Sequence, residues 1–102
     1  MTKAPALAGG KVKAQLANAR GNRVLEIRGG IQAGPLSAIV ACQGKGRVTV
    51  FVRPVGLSFP LECVRDEVSS TQNRIDLKRA RGDGTVSVTA SSGVRWALTV
   101  GQ

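Results

Sequence analysis

The stretch Gly46-Arg47-Val48-Thr49-Val50-Phe51-Val52-Arg53 decides the fold class. Val48, Val50 and Val52 occupy one parity, and Arg47, Thr49, Phe51 and Arg53 occupy the other. A period of two with β-branched residues on one side marks a strand with one face in a core and one in water. The same alternation recurs outward in both directions. Upstream, Leu36, Ala38, Val40 and Cys42 share a parity before the turn Gln43-Gly44-Lys45-Gly46. Downstream, Pro54-Val55-Gly56 turns into Leu57, Phe59, Leu61 and Cys63. Farther out lie Val12/Ala14/Leu16, Leu25/Ile27, Ile75/Leu77, Val86/Val88/Ala90 and Val94/Trp96/Leu98/Val100, with Arg95, Ala97 and Thr99 on the wet side of the last. Arg20-Gly21-Asn22, Gly29–Pro35, the polar Ser69–Asn73 and the charged Arg79–Gly84 read as turns and loops. About eight short strands separated by Gly-rich turns predict an antiparallel β-sandwich, jelly-roll or immunoglobulin-like. Residues 11–102 form one domain on this reading, behind a flexible segment 1–10.

Composition removes several chemistries. The 102 residues contain no His and no Tyr, and Phe51, Phe59 and Trp96 are the only aromatics. No Ser-His-Asp or Cys-His pair and no His-ligated zinc can be assembled from them. Carboxylates are few, and Glu62 and Asp66 read as offsetting neighbouring arginines such as Arg65. Gly44-Lys45-Gly46 lacks the following helix that a phosphate-binding loop needs, and reads as a hairpin turn. Arg81-Gly82-Asp83 spells the tripeptide that integrins recognise, yet Gly-Asp-Gly is also good turn chemistry. Trp96, in phase with Val94 and Leu98, is a core residue. No catalytic residue, metal site or cofactor is expected, and no segment is apolar for long enough to span a bilayer.

Cys42 and Cys63 each close a strand in phase with its apolar side. Two inward cysteines at strand ends can fall within the ~4.4–6.8 Å Cα separation of a disulfide. The other reading is two separate buried thiols; the disulfide is favoured, and it would argue for an oxidising compartment. The opening Met1–Gly10 has no apolar run long enough for a signal peptide. The expectation is either a cytosolic protein or a mature domain to which Met1 has been added.

Cys42-Gln-Gly44-Lys-Gly46 running into Val48-Thr-Val50-Phe-Val52, then Leu57-Ser-Phe59-Pro-Leu-Glu-Cys63 and the ending Ser92-Gly93-Val94-Arg-Trp96-Ala-Leu98-Thr-Val100, resembles the two-cysteine β modules of secreted proteins and lipoproteins of actinobacteria. The resemblance covers residues 36–102. It implies a secreted or envelope-attached β-sandwich bridged between Cys42 and Cys63, and it implies no activity. The chain departs from the lipoprotein pattern at its front, where no lipobox cysteine or signal peptide stands.

Fifteen Lys and Arg against six Asp and Glu give a formal charge of +9. Lys11, Lys13, Arg28, Arg47, Arg53, Arg74, Lys78 and Arg95 have solvent parity, and Arg79 and Arg81 extend the series into a turn. Such a field attracts polyanions. The functional expectation is a non-catalytic secreted or envelope module that binds an anionic envelope polymer or a partner protein through a basic face formed by Lys11, Lys13, Arg47, Arg53, Arg74, Lys78, Arg79, Arg81 and Arg95. The alternative is a cytosolic nucleic-acid-binding β-barrel with reduced cysteines. Nucleic-acid readers usually add exposed aromatics, and only Phe51 has the parity for that role. Strand order and oligomeric state do not follow from alternation.

Overall fold

A computed structural model of the chain describes residues 4–6 and 10–102. Eight strands occupy the described residues: β1 (Val12–Arg20), β2 (Arg23–Glu26), β3 (Gly34–Gln43), β4 (Gly46–Arg53), β5 (Leu57–Cys63), β6 (Ser69–Leu77), β7 (Thr85–Ala90) and β8 (Arg95–Gly101). They build two four-stranded antiparallel sheets, ordered β1-β8-β3-β6 and β2-β7-β4-β5. Strand partners β1·β8, β2·β7, β3·β6 and β4·β5 are those of a long ribbon folded at the β4–β5 turn and then wrapped on itself. This is the jelly roll, and it settles the choice that the sequence left open.

The wrapping corrects one reading of a turn. β3 and β4 lie in different sheets, so Gly44-Lys45 is a corner between layers and not a hairpin. The Gly44 amide donates to the Val64 carbonyl at 2.9 Å, which ties that corner to the segment after β5. Only β4 and β5 are consecutive neighbours within one sheet.

Between the layers lies a dry core. Leu36, Ala38, Val40, Cys42, Trp96, Leu98 and Val100 line it from one sheet; Val48, Val50, Val52, Phe59, Val86 and Val88 line it from the other. The alternation read from the sequence is the alternation buried. Cys42 and Cys63 form a disulfide that joins β3 to β5 across the layers, with a Cα–Cα separation of 5.8 Å.

Three strands depart from simple parity. β1 carries a register shift between Leu16 and Ala19, with Asn18 at φ 51°. This bulge moves the inward parity from Ala14 to Ala19. The polar tract Ser69–Asn73, expected as a loop, is the first part of edge strand β6, fully laddered onto Ala38–Cys42. An edge strand needs backbone pairing more than apolar side chains, and Ser69, Thr71 and Asn73 are only half-buried. In β8, Ala97 and Thr99 were expected in water but are fully buried. Thr99 Oγ1 accepts from Gln15 Nε2 at 3.1 Å and donates to the Pro5 carbonyl at 2.5 Å, so this central strand has a covered outer side. The flexible segment expected over 1–10 otherwise lies mostly outside the described residues.

At one end of the sandwich the 27–33 and 78–84 connections are fastened together. Ile31 and Arg81 exchange both backbone hydrogen bonds, at 2.8 and 2.6 Å, and the Ile27 amide donates to the Gly84 carbonyl at 2.9 Å. Gly30 permits this approach, because a Cβ there would stand 2.5 Å from the Arg81 carbonyl oxygen. Its φ is +71°, whereas Gly21 has φ +69° with open space around it. Gly21→Ala should therefore cost only the left-handed backbone penalty, roughly 1–2 kcal/mol. Gly30→Ala adds a backbone clash and should lower the urea midpoint clearly further. Equal midpoints for the two variants would show that the loops separate freely.

Candidate functional site

The nine cationic residues expected to make one basic face do not share one. Arg74 and Arg95 lie on the outer side of the β1-β8-β3-β6 sheet: Arg74 beside Asp76 at 3.5 Å, and Arg95 opposite Arg20 on β1 and Gln43 on β3. Arg47 and Arg53 lie on the outer side of the other sheet. Lys11 precedes β1, and Lys13 borders a hollow of about 280 Å³ between the β1 and β2 edges, with Glu26 and Arg28. Lys78, Arg79 and Arg81 lie in the β6–β7 connection. Alternation places these residues outward, but antiparallel wrapping distributes them over both outer faces and one end.

Arg47 pairs with Glu62 across the β4–β5 ladder, so the partner of Glu62 is not Arg65. Among the described residues no group of three or more His, Cys, Asp or Glu side chains is gathered as a metal site. No helix there is long and apolar enough to cross a membrane.

The outer side of β2-β7-β4-β5 has a distinct composition. Register aligns Val24, Ser87, Phe51 and Ser58 in one row across the four strands. Glu26, Thr85 and Arg53 form the row on one side of it, and Thr89, Thr49 and Pro60 the row on the other. Phe51 is half-buried at the centre, framed by five hydroxyl side chains, and Val24 is 69% exposed. Trp96 and Phe59 are both in the core, so Phe51 is the one aromatic ring on an outer face. The Arg53 guanidinium carbon stands 5.9 Å from the Phe51 ring centre, at the outer limit of a cation–π contact.

Arg53 also borders a cleft at the end of this face. Arg53, Pro54, Arg81, Gly82, Asp83, Gly84 and Thr85 line an open depression of about 410 Å³ there. The structure thus brings together two of the expected cations, Arg53 and Arg81, with Thr85 and with Asp83, which the sequence already places beside Arg81. The signal for Phe51 and Thr85 is their outward parity; that Arg53, beside Phe51, shares a cleft with Arg81 and Thr85 comes from tertiary pairing.

The fold and face together define a class: an antiparallel jelly-roll sandwich with one outer sheet centred on an aromatic ring framed by hydroxyl side chains. No family model matches the sequence, and no curated protein matches it either. Solved structures do share the fold. BiXyn10A CBM1, a carbohydrate-binding module, superposes with a TM-score of 0.55 at 12% identity, over 88% of this chain and 70% of that one. The carbohydrate-binding module CBM6cm-2 from Cellvibrio mixtus lichenase 5A, solved with cellotriose, gives 0.50 at 11% identity, over 90% and 98%. The cycloalternan-forming enzyme from Listeria monocytogenes, solved with a pentasaccharide, gives 0.53 at 13% identity; 93% of this chain corresponds to 10% of that one. At these identities the likeness is one of fold.

Proposed function

We propose that this chain is a non-catalytic module that binds a polysaccharide on the outer face of β2-β7-β4-β5, outside the cytoplasm. The observation that carries this reading is the Phe51 platform with its hydroxyl rows. An aromatic ring offers an apolar plane for the C–H face of a sugar, while Ser, Thr and Arg side chains supply donors and acceptors for its hydroxyls. Carbohydrate-binding modules of the same fold support it. The disulfide supports an oxidising location, as does the resemblance to secreted two-cysteine modules. The +9 charge favours an anionic polymer through long-range attraction.

Affinity electrophoresis of the intact chain through gels containing neutral or acidic polysaccharides tests the reading. Retardation by at least one polysaccharide is expected, and Phe51→Ala should abolish most of it while lowering stability by only about 1 kcal/mol, so that the variant remains folded by circular dichroism. Retardation by acidic polymers should weaken as salt rises from 50 to 500 mM, because the Debye length shrinks from about 14 to 4 Å. Failure of every polysaccharide to retard the protein, with DNA or RNA retarding it instead, would replace this reading with the nucleic-acid one.

A further inference from the structure

We propose that the cleft between Arg53 and Arg81 is a carboxylate subsite, which seats one uronic acid unit of a polysaccharide lying across the Phe51 face. This inference rests on the polysaccharide reading and adds to it the class of sugar and the residues that select it.

Three observations converge on the cleft. The first is the availability of its charges. Among the described residues the ion pairs are Arg47–Glu62 and Arg74–Asp76, so neither Arg53 nor Arg81 is ion-paired, although Asp83 borders the same cleft and Arg53 stands at the outer limit of a cation–π contact with Phe51. The two guanidinium groups and one carboxylate that line the cleft sum to +1, which favours an anion there. A guanidinium presents paired N–H donors that match the two oxygens of a carboxylate, an arrangement a lysine cannot reproduce. Asp83 and the Thr85 hydroxyl remain for the hydroxyls of the sugar ring.

The second observation is rigidity. Arg81 is anchored at its backbone by two hydrogen bonds to Ile31, and Gly84 by one from Ile27. Gly30 and Gly84 are both packed so tightly that an added Cβ would stand 2.5 Å from the Arg81 carbonyl oxygen and 2.8 Å from Ile31 Cδ1 respectively. Arg53 is held by the laddering of β4 to Thr85 on β7. A wall fixed before the ligand arrives loses little backbone freedom on binding.

The third is continuity. Arg53 lies over Phe51 on one side and borders the cleft on the other. A sugar ring resting on Phe51 therefore places its neighbour in the chain, or its own C6 carboxylate, at Arg53 and Arg81. Pro54, Gly82 and Gly84 supply the remaining wall without charged side chains.

The test compares polygalacturonate with the same polymer after chemical reduction of its carboxyl groups, using isothermal titration and affinity electrophoresis. Polygalacturonate should bind the wild-type chain at least tenfold more tightly than its reduced form. Arg81→Gln should remove that preference while retaining affinity for the reduced polymer. Arg20→Gln makes the same charge change on the opposite sheet and should keep the preference; the urea midpoints of both variants should equal that of the wild type. If Arg20→Gln and Arg81→Gln weaken uronate binding equally, net charge is responsible and the subsite is refuted. If the reduced polymer binds as tightly as polygalacturonate, the subsite falls while the polysaccharide reading stands. If neither polymer nor any neutral polysaccharide binds, both readings fall. Tighter binding of dextran sulfate or polyphosphate than of polygalacturonate, compared per charge, would overturn the choice of carboxylate.

Discussion

Replacing Trp96 by alanine should destabilise the domain by several kcal/mol at 25 °C. Trp96 is fully buried, and its Nε1 donates to the Gly21 carbonyl at 3.0 Å. Register places it between Ala19 on β1 and Cys42 on β3. These small neighbours leave room for the indole and cannot expand to fill its absence. Truncating a buried Trp to Ala costs about 3–5 kcal/mol. Loss of the donor to Gly21 adds about 1 kcal/mol. Small domains hold ~5–15 kcal/mol in total, so about a third of the margin or more is removed. Trp96→Phe keeps most of the packing and should cost no more than about half as much. Urea unfolding followed by far-ultraviolet circular dichroism suits both variants, because the chain has no second tryptophan to report fluorescence. An alanine variant within 1 kcal/mol of wild type would mean that the core around Ala19 and Cys42 collapses to fill the space.

The disulfide should produce the next largest effect. It links β3 in one sheet to β5 in the other, between residues 21 positions apart. Closing a loop of that length in the unfolded chain stabilises the fold by about 3 kcal/mol on the chain-entropy estimate. The double variant Cys42→Ala/Cys63→Ala should lose about that amount in urea unfolding. A thiol reductant should lower the wild-type midpoint toward the variant's and leave the variant unmoved. A variant as stable as the oxidised wild type would show that the layers are held by the valine core alone.

The inward residues of the long strands were legible in the chain. Strict alternation of Val48, Val50 and Val52, or of Leu36 through Cys42, is what a two-layer core requires, and those positions are buried. Where the pattern misled, a neighbour had replaced water. Ala97 and Thr99 have outward parity yet are buried, and at Thr99 the Pro5 carbonyl and the Gln15 amide take the place of water. Ser69–Asn73 carries no apolar signal because its pairing is made by backbone on a sheet edge. Gly44-Lys45 has the residues of a tight turn, and nothing local states whether such a turn returns within a sheet or crosses to the other.

The candidate site was legible only in parts. Arg53, Arg81 and the outward parity of Phe51 could each be read separately, and their grouping could not.

By itself, the sequence determined an all-β sandwich, its buried faces, an inward cysteine pair and a strongly cationic chain. These depend on side-chain period and composition, which are local properties. Tertiary structure alone decided the jelly-roll order, the scattering of the basic residues over both faces, and the meeting of Arg53 with Arg81. Those depend on pairings between strands and loops far apart in the chain, such as β4 with β7 and Ile31 with Arg81. Alternation fixes which way a side chain faces, while the neighbours it acquires are fixed by the free energy of burying the whole core at once.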